Sequence, residues 1–130
     1  MITAEQKAYF HTFGFIHLPK QFSADEMDTV TREADRLWEE QRGGGPPAGR
    51  GQNIQEMVEK GPVMTQMVAD DRIFGTVEGL LGPGFIWNGS EGNLDFDDSD
   101  HRWHTDRQRE SHATTYSFHL YLDPLRADTG

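Results

Sequence analysis

"HRWHTD", residues 101–106, is the stretch on which the reading of this chain turns. His104 and Asp106 stand two apart. In an extended strand, residues i and i+2 point to the same face and lie about 7 Å apart at the backbone, so an imidazole and a carboxylate can both reach one ion. On a helix the same two side chains would diverge by about 200°. The strand reading turns Trp103 and Thr105 to the opposite face, with Trp103 as a large apolar anchor. Taken alone the pair says little: 6 His and 12 Asp in random order would yield roughly half an H-x-D in a chain of this length. Its meaning comes from what surrounds it.

The composition narrows the chemistry. At 130 residues the chain fits one domain. Its 12 Lys and Arg against 22 Asp and Glu leave a net charge of −10, which repels a phosphate backbone and argues against a nucleic-acid partner. There is no cysteine, so any metal must be held by nitrogen and oxygen. The opening "MITAEQKAYFHTFG" lacks the basic start and apolar run of a signal peptide, and no stretch approaches the ~18 apolar residues of a membrane span. The expectation is a soluble, cytoplasmic protein with no membrane partner.

Upstream of the motif, helical signals dominate. Thr3 with Gln6 has capping-box spacing, and Ile2, Tyr9, Phe10 and Phe13 recur on one face until Gly14, predicting a helix over 4–13. "GFIHLP" predicts a short strand from Phe15 to Leu18, closed by a proline. Ser23 with Glu26 repeats the capping box, and Ala24, Met27, Val30, Ala34, Leu37 and Trp38 keep amphipathic spacing to about Gln41. "GGGPPAGRGQ", residues 43–52, predicts a flexible loop without regular structure, and no Gly-Lys-Ser/Thr closes it into a phosphate cradle. Pro62 suits a first helical turn before Val63, Met64, Met67 and Val68, where the methionines read as core filler. Asp70 can cap a further helix carrying Ile73, Phe74, Val77, Leu80 and Leu81, ended by Gly82 and Pro83.

After Pro83 the pattern changes. "FIWNGSEGNLDF" reads as strands joined by tight turns. "ATTYSFHLYLDP", residues 113–124, alternates Tyr116, Phe118, Leu120 and Leu122 against Thr115, Ser117, His119 and Tyr121, the period of a strand with two distinct faces. The order expected is helices first, sheet second.

One imidazole and one carboxylate leave a divalent ion short of protein ligands, and two histidines with a carboxylate on one face of an octahedron is the arrangement of non-heme Fe(II) oxygenases. His11 and His17 read as structural or surface residues, His101 as a solvated neighbour of the acidic turn, and His112 as loop or strand edge. His119 shares a strand face with Ser117 and Tyr121 and so faces either a polar cavity or solvent. Asp95, Asp97, Asp98 and Asp100 lack the spacing and closing glutamate of an EF-hand and read as surface. A zinc hydrolase built on His101, His104 and Asp106 would need residue i−3 on the same strand face, which strand geometry disfavours.

The opening "TAEQKAYFHTFGFIHLPKQFSADEMDTVTREAD", then "DDRIFGTVEGLLGPGF", "WHTD" and "YLDPLRADTG", resemble in this order segments of the phytanoyl-CoA dioxygenase family, within the Fe(II)/2-oxoglutarate-dependent oxygenases. The resemblance runs along nearly the whole chain. It implies an α+β fold in which N-terminal helices precede part of a double-stranded β-helix, a jelly-roll or cupin-like barrel. Residues 1–82 would be its mainly helical part and 83–130 its first barrel strands with the H-x-D motif. It implies Fe(II) as cofactor and 2-oxoglutarate as cosubstrate, with hydroxylation of a small organic substrate by O₂. His104 and Asp106 match the first two iron ligands, His119 the strand position against 2-oxoglutarate, and Asn93 a second contact in the same pocket. In the family, the distal histidine and the arginine that pairs the far carboxylate of 2-oxoglutarate follow the "TG" turn, so the expectation is that they and the C-terminal strands lie beyond Gly130. The 130 residues by themselves are then expected to be inactive. The alternative expectation is a truncated, non-catalytic relative acting as an interaction module or completed by a partner chain.

Overall fold

The computed structural model describes residues 2–49, 51–96, 104 and 115–126. The architecture is α+β, with five helices and one two-stranded sheet among the described residues. In chain order these are α1 (Ala4–Phe13), α2 (Ala24–Arg42), β1 (Gly51–Gln55), α3 (Met57–Lys60), α4 (Pro62–Val68), α5 (Asp71–Leu81) and β2 (Glu91–Asp95).

The helix ends follow from local chemistry. Both expected capping boxes form: the Thr3 hydroxyl accepts from the Gln6 N–H while the Thr3 N–H donates to the Gln6 side chain, and Ser23 and Glu26 repeat the exchange. Gly14 and Gly43 close α1 and α2 in the left-handed conformation, at φ 80° and 65°. Pro62 opens α4, and the Asp70 carboxylate accepts the Arg72 N–H at the start of α5.

The core forms around α2. Val30, Ala34, Leu37 and Trp38 lie on one stripe at the three-and-four spacing, and bury against Ile54 of β1, Met57 of α3 and Met64 of α4. Val58, Val63, Met67, Leu94, Leu120 and Leu122 pack around this cluster. Arg72 ties α5 to the start of α2. Its guanidinium reaches Asp70 at 2.8 Å and Glu26 at 2.6 Å, donates to the Gln21 carbonyl, and lies 4.2 Å from the centre of the Phe22 ring.

Strand β1 pairs antiparallel with β2, Asn53 opposite Asn93 and Gln55 opposite Glu91. Ile54 is buried and Gln52 half-buried, while Gly51, Asn53 and Gln55 face outward. Gly92 is required by this packing: a Cβ there would stand 1.8 Å from the Met57 sulfur, so only glycine lets α3 cross so close to the strand. The α2–β1 connection is tied at both ends, because Arg42 donates to the Gly45 carbonyl and the Gln52 side chain, and Gln52 donates in turn to the Trp38 carbonyl.

The secondary structure departs from the sequence reading at three places. Regular structure begins at Gly51, inside the stretch expected to be an irregular loop through Gln52, so the sheet's first strand lies between helices rather than after them. Phe15–Leu18 forms no strand. Phe15 instead packs edge-on against Tyr9 at 5.7 Å, and Lys20, at φ 58°, turns the chain toward the α2 cap. Of residues 113–124, those described (115–124) are in no ladder, because no described strand pairs with them. Their alternation survives as burial: Tyr116, Leu120 and Leu122 are half-buried, while Thr115, Ser117, His119 and Tyr121 are exposed; Phe118 breaks the pattern at 44% exposed. No helix among the described residues is long and apolar enough to cross a membrane.

Candidate functional site

Two antiparallel strands present two faces of opposite character. One lies on the core through Ile54 and Leu94, beneath α2 and α3. The other carries Asn53, Gln55, Glu91 and Asn93, all exposed. Their register turns four polar side chains into one network. The Asn53 amide nitrogen donates to Asn93 Oδ1 at 2.6 Å and to Glu91 Oε2 at 3.3 Å; that of Gln55 donates to Asn53 Oδ1 at 2.7 Å and to Glu91 Oε2 at 3.2 Å. Such cross-strand pairs hold one another in position. Asn93 therefore sits in the middle of an ordered polar surface, held by a neighbour that sequence reading did not identify.

At one end this surface runs into an open groove of about 460 Å³, lined by Gln55, Glu56, Asn88, Gly89, Ser90 and Glu91. Ser90 fixes the groove's wall. Its carbonyl accepts the Glu56 N–H at 2.7 Å, its hydroxyl accepts the Val58 N–H at 3.0 Å, and the same hydroxyl donates to the Glu59 carboxylate. Glu59 also accepts the Trp87 indole N–H at 2.6 Å. Partial burial pushes the Glu59 carboxyl up, but the hydrogen bonds from Ser90 and Trp87 outweigh it and hold the group below its ordinary value. Glu56 occupies the left-handed region at φ 58°, a sparsely populated conformation for a residue with a side chain.

The histidines expected to matter are on the surface. His104 is exposed. His119 is exposed and stacks on Tyr121, with ring centres 6.3 Å apart and planes 16° from parallel, so these two share a face as the alternation required. The open choice between a polar cavity and solvent resolves to exposure. His11 and His17 are exposed as expected. Asp106, the second expected iron ligand, lies outside the described residues, as do Trp103, His101, His112 and most of the acidic turn. Among the described residues no three His, Cys, Asp or Glu side chains gather as a metal site.

Asn53, Gln55 and Glu91 were missed because β1 carries no readable strand signal. Its inward positions are Gln52 and Ile54, and a strand with one apolar side chain does not alternate. Compared with known proteins, the chain matches no family model, no curated protein and no solved structure.

Proposed function

We propose that the chain is the N-terminal portion of an Fe(II)- and 2-oxoglutarate-dependent dioxygenase that hydroxylates a small organic substrate, on a double-stranded β-helix begun by β1 and β2. What carries the reading is the order along the chain: two helices with capping boxes, then a strand with a bare polar face bearing Asn93, then His104-x-Asp106. A sheet wrapped by helices on one side and polar on the other is what a barrel wall around a polar site would look like from outside and inside.

The donor set fits the metal in kind. One imidazole and one carboxylate are the nitrogen and oxygen ligands that suit non-heme Fe(II). His104 and Asp106 would hold it, and His119 and Asn93 would contact 2-oxoglutarate. When bound, the metal supplies the oxidising chemistry with O₂. The chain's own part is positioning: Asn53 holds the Asn93 amide, and Tyr121 holds the His119 ring, so both candidates have neighbours that limit their rotamers.

The test is anaerobic addition of Fe(II) and 2-oxoglutarate to the protein expressed from its complete gene. A visible charge-transfer band is expected, lost in His104→Ala, and Asp106→Gly should eliminate hydroxylation. A band unchanged by His104→Ala removes His104 from the site, and a full hydroxylation rate in Asp106→Gly removes the motif.

A second reading, a non-catalytic interaction module, draws on the exposed apolar side chains Phe13, Phe15, Ile86, Tyr121 and Leu125, each more than half exposed. It predicts no consumption of 2-oxoglutarate and a sedimentation coefficient above that of a monomer.

A further inference from the structure

We infer that the ligand met by the open face of the β1–β2 sheet carries an ammonium group and is not an acyl-CoA thioester; as a statement about substrate this rests on the oxygenase reading, but the ligand class rests on the groove alone. Three observations support it. The groove and the strand face beside it present Gln55, Glu56, Asn88, Ser90 and Glu91, and no cationic or apolar side chain lines the groove. Glu56 and Glu91 are in no ion pair among the described residues, so their charge is not cancelled locally. The nearby Lys60 ammonium is turned to the Gln55 main-chain carbonyl.

The hydrogen-bond inventory points the same way. The Asn53 and Gln55 amide hydrogens are spent within the face, on Asn93, Asn53 and Glu91. What remains toward solvent is mainly acceptor capacity, from the Glu56 and Glu91 carboxylates and the side-chain carbonyl of Gln55. A ligand that donates hydrogen bonds and bears positive charge complements this surface. The phosphates of coenzyme A would meet two carboxylates in a protein of net charge −10. An alkyl chain would find no apolar wall in the groove.

The experiment is a titration of the 15N-labelled chain with n-butylammonium chloride, sodium butyrate and coenzyme A at constant ionic strength, reading the side-chain amide signals of Asn53, Gln55, Asn88 and Asn93. Only the ammonium salt should shift them. Glu91→Gln and Glu56→Gln, both exposed, should each weaken the response by roughly twofold to fivefold, the scale of one exposed charge pair, while Gln55→Glu should strengthen it. Backbone amide dispersion verifies that each variant is folded. No shift with butylammonium, or an equal shift with coenzyme A, overturns the inference and leaves an ordinary solvated face. Ammonium binding without the iron charge-transfer band keeps the ligand class and removes the oxygenase; the band without ammonium binding does the reverse.

Discussion

Helices α1 and α2 open with the same capping box, Thr3 with Gln6 and Ser23 with Glu26, and close on a left-handed glycine. Yet α2 buries Val30, Ala34, Leu37 and Trp38, while α1 buries no residue. The third helical residue shows how the two caps diverge. Gln6 answers only the Thr3 N–H, at 2.8 Å, whereas Glu26 answers the Ser23 N–H at 2.7 Å and also takes the Arg72 guanidinium, joining the start of α2 to Asp70 at the start of α5. The same local device is a helix end in one case and a tertiary link in the other. Caps decide where a helix begins; the apolar stripe and a charged neighbour decide whether the rest of the protein depends on it.

The contrast can be attacked experimentally. Trp38→Ala, which empties a side chain 5% exposed in the α2 stripe, should cost about 3–5 kcal/mol in urea unfolding; Phe10→Ala in α1, which loses an edge contact with Tyr116 at 4.9 Å, should cost about 1 kcal/mol or less. Equal losses would abolish the distinction. Gly92→Ala probes the same core from the strand side and should cost about 1–3 kcal/mol, because Met57 must leave its place. Ser23→Ala should lower global stability by about 1 kcal/mol. Thr3→Ala should reduce helicity at the N-terminus, seen as faster amide exchange, while moving the urea midpoint by less than about 0.5 kcal/mol.

The Arg72 link adds a pH dependence that α1 lacks. The Arg72 hydrogen bond first, then the Ser23 N–H, holds the Glu26 carboxyl down from 4.5 to about 2, and Arg72 holds Asp70 down from 3.8 to about 2. Folded values below the unfolded ones mean that this contribution is fully present above pH 4.5 and is lost as pH falls toward 2. Arg72→Met should flatten the acid limb of the stability curve between those limits, measured by urea unfolding at each pH. An acid limb as steep as in the parent would show that the link carries no weight, as many exposed ion pairs do.

The candidate site was legible to a lesser degree. The alternation of 115–122 correctly grouped His119 with Tyr121 on an exposed side, though without the ladder expected of it. Asn93 was marked, but its partners were not, because Asn53 and Gln55 sit on a strand whose inward Gln52 is satisfied by the Trp38 carbonyl and Arg42 rather than by apolar packing. A polar inward position kept solvent-free by hydrogen bonds has no hydropathy signature.

By itself the amino-acid sequence determined the helix boundaries at Thr3, Ser23, Pro62, Asp70 and the closing glycines, and the stripe on α2 that makes the core, because caps and amphipathic spacing act over three or four residues. Only the tertiary structure decided that Gly51–Gln55 is a strand, that it pairs with Glu91–Asp95, and which four polar side chains therefore share a face. Pairing across that sequence distance depends on two segments meeting over a common core, with Gly92 making room for Met57, and no local pattern in either segment encodes the other.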